Sequence, residues 1–456
     1  MSQAAILGGP RVRERRFADR KTMGEAEERA AVEVIRSDVL SDFLGAGGNH
    51  FLGGANVRGF EDKWCEMYGF KHGISVNSWT SGLVIAMGAV GLEPGDEVIC
   101  PPYTMSASAT AAIFYGAIPV FADIERESLC LDPADFERKI TPRTRAVVVV
   151  HLLGRAADMD AIMEIARRHD VKVIEDAAQA PGVRYKGRAV GAIGDIGGFS
   201  LNFHKHIHCG EGGMLVTQSD ELARRCQLIR NHGENAVSPE EVATTPNFFG
   251  GNYRLTELQS AIGIAQLDRL EGYLETRQRL AAHLAVRLEG MAGLQTYMTP
   301  EGDDHAYYIF PIWYDAAQVG MSRSLFVRSV LAELPEPRGF ESTPLAEGYI
   351  KPLYLLEMYQ QRRAMGRGSF PWSFAPESQP DYGKGLCPVA EAMYERELIL
   401  SPLVREPLSL EDIDDIADAM EKVLGQAADI VASLGDDVTS HEVVTPIDVA
   451  NSRGTT

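Results

Sequence analysis

The chain has 456 residues, of which 45% are hydrophobic and 24% are charged, a composition typical of a globular protein with two domains plus extensions. Its 64 acidic and 44 basic residues give a formal net charge of −20, which argues against nucleic acid and anionic membrane surfaces as partners. The six cysteines form no CxxC pair, and no apolar run is long enough to span a bilayer. The N-terminal apolar patch precedes arginines, the reverse of a signal peptide, so we expect a cytoplasmic protein.

The first 55 residues are predicted to form a helix followed by an arm. Apolar residues recur at helical spacing over residues 22–38, after an acidic start. The stretch FLGAGGNHFLGGANVRGFEDKW (43–64) is rich in glycine, which suits a flexible arm better than an element of the core.

Between residues 56 and 270, short apolar runs alternate with amphipathic helices. The runs are DEVICPPY (96–103), IPVFADI (118–124), RAVVVVHLLG (145–154), VKVIEDAAQ (171–179), IGGFSL (196–201) and GGMLVTQ (212–218). Because they are continuous rather than alternating with polar residues, we expect both faces of the sheet to be covered, as in a largely parallel α/β sheet.

The C-terminal part is predicted to form a second, smaller domain. From about residue 271 a long helix leaves the sheet, and an α+β region follows as far as residue 430. Residues 342–387 are rich in Pro, Gly, Tyr and Met with poor periodicity, so we expect a long loop insertion there. Residues 431–456 are polar and aperiodic, and we expect them to be disordered.

One lysine, Lys205, lies among three histidines in the stretch SLNFHKHIHCGEGGMLVTQ (200–218). A metal site, a surface charge and a covalent cofactor anchor all fit this pattern. A lysine that forms a Schiff base must be partly buried so that its pKa falls, and the preceding DIGGFSLNFH is apolar enough for that. In an extended segment His204, His206 and His208 could face one metal ion, but no further carboxylate or cysteine has a convincing spacing. We therefore favour packed or hydrogen-bonded histidines.

Two other stretches carry candidate binding residues. Asp176 ends an apolar strand, where ligands of parallel sheets collect, and a carboxylate there can hold a proton on a pyridine-type nitrogen. A helix N-cap explains the same aspartate equally well. Ser78, Thr80 and Ser81 open the apolar helix within residues 75–92, where they could bind a phosphate or simply cap the helix.

Taken in chain order, these motifs resemble those of the DegT/DnrJ/EryC1/StrS family of pyridoxal 5′-phosphate-dependent sugar aminotransferases. The phosphate loop, Asp176 with Gln179 three residues later, and Ser200 and Lys205 before GEGG carry the resemblance, which runs from about residue 22 to about residue 425. Further similar stretches are GDEVICPPYTMSASATAAIFYGAIPVFADIE, VVHLLGRAADMDAI, LIRNHGE, GGNYRLTELQSAIGIAQLDRL and LCPVAEAMYERELILSPL. The resemblance implies an α/β, aspartate aminotransferase-like fold (type I), with a mainly parallel seven-stranded sheet in the large domain and a smaller α+β C-terminal domain.

The same resemblance implies a role for each motif residue. Lys205 would anchor the cofactor covalently and act as general acid and base. Asp176 would pair with the pyridine nitrogen, and Gln179 would lie near the phenolic oxygen of the ring. The cofactor phosphate would be held by Thr80, Ser81 and Ser200. A second subunit would complete the site with Asn252 of the stretch GGNYRLTE, which implies a homodimer whose glycine-rich arm folds over the site and contacts the neighbour.

Two residues depart from the family pattern. Trp79 stands where the family usually has glycine before the phosphate-loop threonine, so the path of this loop stays open. Met105 follows Thr104 where an aromatic residue often stacks on the cofactor ring. A thioether can pack on a ring face, and Tyr103 is the alternative for this role.

The resemblance favours an aminotransferase, because relatives that dehydrate sugars carry histidine in place of Lys205. The alternatives are a pyridoxal-phosphate-dependent dehydratase or lyase and a catalytically silent regulatory relative. The amino donor would be L-glutamate or L-glutamine, and the acceptor a nucleotide-linked keto-sugar or a scyllo-inosose-like ketone. The opening AILGGPRVRERRF is similar to the cyclitol and aminoglycoside branch, which indicates amino-sugar or antibiotic biosynthesis.

Candidate substrate residues lie in two aromatic stretches. Tyr307 and Tyr308 belong to HAYYIFPIW (305–313), and Trp372 belongs to the insertion, although core packing explains all three equally well. A nucleotide diphosphate would need a local cationic patch in this acidic chain. Candidates for it are Arg155, Arg184, Lys186 and Arg188. We prefer to interpret these four as solvated loop charges.

Overall fold

The computed structural model describes residues 2–338, 342–377 and 379–436. The α-helices of these residues are α1 (Glu25–Ser37), α2 (Ala55–Tyr68), α3 (Trp79–Ala89), α4 (Ala107–Ile113), α5 (Pro133–Lys139), α6 (Met159–His169), α7 (Asp220–Arg230), α8 (Pro239–Val242), α9 (Glu257–Leu267), α10 (Leu270–Leu288), α11 (Ala316–Val319), α12 (Arg323–Ala332), α13 (Glu357–Gln360), α14 (Pro388–Ala392), α15 (Leu410–Leu424) and α16 (Ala427–Leu434). The strands are β1 (His72–Val76), β2 (Glu97–Cys100), β3 (Ile118–Phe121), β4 (Thr144–Val150), β5 (Lys172–Asp176), β6 (Arg184–Tyr185), β7 (Arg188–Ala189), β8 (Ile196–Ser200), β9 (Gly213–Thr217), β10 (Leu294–Gln295), β11 (Phe310–Tyr314), β12 (Ala346–Glu347) and β13 (Leu398–Ser401). No helix in this part of the chain combines the length and apolar character that a membrane crossing requires.

Seven strands form the central sheet in the order β1-β9-β8-β5-β4-β2-β3. Strand β9 runs antiparallel to both of its neighbours, and the other neighbouring pairs are parallel. Successive valines of β4 point to opposite faces of the sheet, and residues 147–150 are all buried, so both faces are covered. This architecture confirms the predicted α/β fold with a mainly parallel seven-stranded sheet.

Helix α10 leads from the large sheet into a smaller α+β region. Its antiparallel sheet has the order β10-β11-β13-β12, and α10, α12 and α15 pack around its own hydrophobic core. The N-terminal residues before α1 join this region: Ala4 and Phe17 enter the core, and Arg13 forms ion pairs with Asp412 (2.8 Å) and Asp415 (2.6 Å). The start of the chain is therefore tied to its C-terminal helices.

The segment 342–387, predicted to be a loop insertion, has little regular structure but a large buried surface. It contributes strand β12 and helix α13, and its aromatic residues pack against Phe121 of β3. The ring centres of Tyr354, Tyr359 and Tyr382 lie 5.8, 5.1 and 5.8 Å from that of Phe121. Aromatic residues at irregular spacing therefore bury this segment without giving it a helical or strand periodicity.

The glycine-rich arm packs against its own chain in this structure. The side-chain amide of Asn231 donates to the carbonyl groups of Leu44 (2.9 Å) and Phe51 (2.8 Å), and the carboxylate of Glu257 accepts from the Gly54 amide (3.0 Å). At the other end of the chain, α16 continues through Leu434, into the tail that was predicted to be disordered. The rest of that predicted tail, residues 437–456, lies outside the described residues.

Candidate active site

The candidate residues gather at the carboxyl edge of the parallel strands. Asp176 is the last residue of β5 and lies opposite Gly198 of β8. Two residues farther along β8, Ser200 lies opposite Gly213 of β9, which in turn lies opposite Val76 of β1. The sheet register therefore brings Asp176 and Ser200 to one edge, as expected for ligand sites of parallel sheets.

Asp176 has a buried carboxylate with a donor at each oxygen. The indole N–H of Trp79 donates to Oδ1 at 2.8 Å, and the hydroxyl of Ser108 donates to Oδ2 at 2.7 Å. The amide of Ala178 also donates to Oδ1 at 3.2 Å. The residues after Asp176 form turns rather than a helix, so it is not a helix N-cap.

Lys205 is buried at the same edge of the sheet. Its Nζ lies 4.5 Å from the centre of the Tyr308 ring. Burial lowers the pKa of Lys205 to about 8, and the nearby negative charge of Asp176 opposes this effect. An amine with this pKa is partly neutral near pH 8, as a nucleophile and proton acceptor must be.

Arg20 of the N-terminal segment holds the main chain around this lysine. Its guanidinium donates to the carbonyl oxygens of Lys205 (2.5 Å) and His206 (2.8 Å), and it bonds with the Glu406 carboxylate at 3.1 Å. The N-terminal segment therefore contacts the turn that carries Lys205 and, through Arg20, links it to Glu406 of the small domain. This arginine was not singled out from the sequence, because nothing near it in the chain points to a residue 185 positions away.

The three histidines around Lys205 have different partners, although the rings of His204 and His206 both lie near Tyr308, with centres 6.4 and 5.9 Å away. His204 packs against Phe203, His206 Nε2 donates to the carbonyl oxygen of Ala306 at 2.9 Å, and His208 hydrogen-bonds with Thr22 at 2.8 Å. Burial lowers the pKa of His204 and of His208 to about 4. Within the described ranges, no group of three or more His, Cys, Asp or Glu side chains is placed to hold a metal ion.

The first turn of α3 lies beside Ser200. A β-carbon on Gly213 would come within 2.8 Å of the Trp79 amide nitrogen, so the helix begins directly against the strand next to Ser200. Ser78 caps this helix by accepting from the Ser81 amide at 3.1 Å, which agrees with the capping interpretation, while Thr80 is exposed. Amides and hydroxyl groups at a helix N-terminus next to a further hydroxyl fit a phosphate group.

Gln179 is held between the large sheet and the 342–387 segment. Its Oε1 accepts from the Leu153 amide at 2.7 Å, and its Nε2 donates to the phenolic oxygen of Tyr349 at 2.9 Å. The Tyr349 amide donates to the hydroxyl of Tyr103 at 2.7 Å. Tyr103 is thereby fixed in the interior, whereas Met105 is exposed beside the site. Tyr349 was missed in the sequence because its segment has no periodic pattern.

Of the three aromatic substrate candidates, the structure places only Tyr308 against Lys205. Tyr307 faces away and stacks on His305, with ring centres 3.9 Å apart. Trp372 is fully buried, and its indole N–H donates to the Tyr382 hydroxyl at 2.9 Å, so its contacts are those of a core residue. Two adjacent tyrosines point to opposite sides, which the sequence alone could not show.

Two groups of candidates make contacts that do not involve Lys205. Asn252 is exposed. The basic residues are occupied locally: Lys186 and Arg188 form ion pairs with Asp160 at 2.8 and 2.5 Å. Arg184 and Arg155 donate to carbonyl oxygens of nearby turns.

The residues at this edge fit pyridoxal phosphate. The group has an aldehyde carbon that a lysine amine can attack, a ring nitrogen that a carboxylate can hold protonated, and a phosphate. Lys205 is the partner for the aldehyde carbon and Asp176 for the ring nitrogen. The N-terminus of α3 together with Ser200 is the partner for the phosphate.

Comparisons with known proteins agree with this fit. The DegT/DnrJ/EryC1/StrS aminotransferase family profile matches residues 41–421. GDP-perosamine synthase of Caulobacter vibrioides is 38% identical over 300 residues, covering 66% of this chain and 77% of that protein. L-glutamine:2-deoxy-scyllo-inosose aminotransferase of Streptoalloteichus tenebrarius is 35% identical over 377 residues, 80% of this chain and 85% of that protein. The solved structure of DesV from S. venezuelae superimposes with a TM-score of 0.69 at 30% identity, over 87% of this chain and 94% of that chain. The chain therefore belongs to the DegT/DnrJ/EryC1/StrS aminotransferase family and is a pyridoxal-phosphate-dependent aminotransferase.

Proposed function

We propose that this enzyme transfers an amino group from L-glutamine or L-glutamate to the keto group of a cyclitol, with Lys205 as its acid–base residue. The observation that carries the assignment of Lys205 is its burial, which lowers its pKa to about 8, at the strand edge that also holds Asp176. Pyridoxal phosphate, when bound, supplies an electron sink for the carbon that loses its proton.

The residues of the chain would divide the remaining tasks. Lys205 would take a proton from the carbon next to the transferred nitrogen and return one, because its amine is partly neutral near pH 8. The Asp176 carboxylate would hold a proton on the ring nitrogen, and Gln179 would hydrogen-bond to the ring oxygen. Thr80, Ser81 and Ser200 would hold the phosphate at the N-terminus of α3.

A homodimer is part of this proposal. Asn252 is exposed in the single chain, where its carbonyl oxygen accepts from the side-chain amide of Asn77 just after β1 (3.5 Å), and its side chain would reach the site of a neighbouring subunit. Leu44 on the arm and Phe249 are apolar residues that are exposed in the single chain. Their exposure supports a surface that a second subunit covers. Sedimentation of the purified protein tests the dimer directly, and a monomer with full activity would contradict it.

A cyclitol is preferred over a nucleotide-linked sugar because of the local charges. A diphosphate needs cations that are not already paired, and Lys186 and Arg188 are both paired with Asp160. The similarity of this chain to a 2-deoxy-scyllo-inosose aminotransferase supports the same choice. A nucleotide-linked keto-sugar stays the second candidate, since GDP-perosamine synthase is also similar to this chain.

A paired acceptor assay tests the choice. The holoenzyme would be incubated with L-glutamine and, separately, with 2-deoxy-scyllo-inosose or a GDP-linked 4-keto-sugar, and amine formation followed by mass spectrometry. We expect amination of the cyclitol ketone, and none by a Lys205→Arg variant, which keeps the charge but cannot form the cofactor linkage. Amination of the GDP-sugar alone would overturn the cyclitol assignment.

A further inference from the structure

Trp79 occupies a slot that is built from glycines. A β-carbon on Gly82 would lie 2.5 Å from Cε3 of Trp79. One on Gly198 would lie 2.4 Å from Cζ3 of Trp79 and 2.1 Å from the carbonyl oxygen of Met214 on β9. Neither glycine has a positive φ, so the backbone conformation does not explain their presence. Gly82 leaves space that the indole fills, and at Gly198 the indole and the neighbouring strand together leave no room for a side chain.

The slot points the indole N–H at Asp176. The 2.8 Å hydrogen bond from Nε1 to Oδ1 is buried, so water does not compete for either group. The Ser108 hydroxyl from α4 fixes the other oxygen at 2.7 Å. Two donors on two different helices therefore set the plane of the carboxylate before any ligand arrives.

We propose that Trp79 is a positioning residue for Asp176: its indole N–H holds the carboxylate in the orientation that receives the ring nitrogen of the cofactor. This inference rests on the role of Asp176 in the proposed function. Trp79 thus supplies a donor where glycine, the residue that the family pattern favours, could offer no side chain.

The competing explanation is that Trp79 only fills space. Trp79→Phe separates the two, because phenylalanine keeps much of the ring volume and loses the N–H. Trp64 offers a matched control, since its buried Nε1 has no hydrogen-bond partner among the described residues. Trp64→Phe therefore removes a buried indole without removing such a bond.

The test compares two probes on the cofactor-free protein, pyridoxal phosphate and its 1-deaza analogue, which has carbon in place of the ring nitrogen. Their dissociation constants would be measured by absorbance titration. We expect Trp79→Phe to weaken pyridoxal phosphate binding by about tenfold more than binding of the analogue, since hydrogen bonds to charged groups contribute on this scale. Trp64→Phe should leave the ratio of the two constants unchanged.

Equal losses for both probes, or no loss for either, would overturn the inference, as would the same change of ratio in Trp64→Phe. Asp176→Asn distinguishes this failure from failure of the proposed function. If Asp176→Asn leaves the ratio unchanged, the proposed role of Asp176 is wrong; if it changes the ratio and Trp79→Phe does not, only the role of Trp79 is wrong. If Trp79→Phe does not fold, replacing Trp79 by benzothienylalanine, which has the same shape without the N–H, gives the same comparison.

Discussion

The ammonium nitrogen of Lys205 lies 4.5 Å from the centre of the Tyr308 ring, with the turn around it fixed by neighbouring segments. Two opposing effects act on this lysine. Burial lowers its pKa to about 8, whereas the negative face of the ring and the charge of Asp176 favour the protonated form. The balance leaves a lysine that exchanges protons close to neutral pH.

The rate at which the cofactor-free protein binds pyridoxal phosphate covalently is expected to rise with pH. Only the neutral amine attacks the aldehyde, and the pKa of Lys205 is lowered to about 8 from the usual 10.5, so the rate should level off above pH 8. Stopped-flow absorbance measures this rate when it is recorded from roughly two pH units below the pKa of Lys205 to roughly two units above it. A rate that still climbs steeply at the upper end would show that Lys205 has an ordinary pKa.

Replacing Tyr308 by leucine is expected to lower the pKa of Lys205 further. The ring contributes a cation–π attraction of about 0.5–2 kcal/mol, which corresponds to roughly 0.4–1.5 pKa units. The same stopped-flow profile, shifted to lower pH, is the predicted result. Tyr308→Phe keeps the ring and serves as the control; a shift of the same size in both variants would assign the effect to the hydroxyl instead.

Arg20→Ala is expected to destabilise the protein and loosen the turn at Lys205. The buried guanidinium donates to two carbonyl groups of that turn and pairs with Glu406. Its loss removes the donor to both carbonyls and leaves Glu406 with the more distant Arg277, at 3.8 Å. We expect a loss of about 2–4 kcal/mol in the free energy of unfolding, measured by urea denaturation, and faster amide exchange around Lys205. Arg15→Ala removes an arginine whose side chain is 81% exposed and should change stability little. Equal effects in the two variants would contradict the claim that Arg20 holds the turn at Lys205.

The effect of Gly82→Ala on the stability of the protein is expected to depend on residue 79: destabilising with tryptophan there and stabilising with glycine. In the wild-type protein the new methyl group would meet Trp79, and such overpacking costs about 1–3 kcal/mol. In a Trp79→Gly background the three nearest obstacles to this methyl group are gone, and alanine in a helix is then more stable than glycine by about 0.5–1 kcal/mol. Thermal unfolding of the wild type, the two single variants and the double variant measures the stability change caused by Gly82→Ala in each background. Destabilisation in both backgrounds would mean that the indole does not fill the slot.

Local motifs were enough to find the residues that follow strands. Asp176 ends one apolar strand and Lys205 follows another, and the carboxyl ends of parallel strands share one edge, so their proximity follows from the sheet. The metal alternative assumed that His204, His206 and His208 alternate in an extended segment. Residues 203–207 form turns and bends rather than an extended strand, so this alternation does not occur.

Contacts between distant segments could not be predicted in this way. Tyr349 reaches Gln179 across 170 positions from an aperiodic segment, and Arg20 reaches Lys205 from the far end of the chain. Trp79 stood out in the sequence only as a departure from the family pattern. Its role depends on Asp176, 97 positions away in the chain, and on the small residues Gly82 and Gly198 beside its ring.

The measurement that tests the central claim most directly is the visible absorption spectrum of the purified protein, recorded before and after L-glutamine or L-glutamate is added without an acceptor. We expect a yellow band from lysine-bound cofactor that bleaches with the amino donor and returns with a suitable ketone, and no such band in Lys205→Ala. A band that neither amino acid changes, or normal transamination by Lys205→Ala, would contradict the assignment of Lys205 as the anchor and acid–base residue of an aminotransferase.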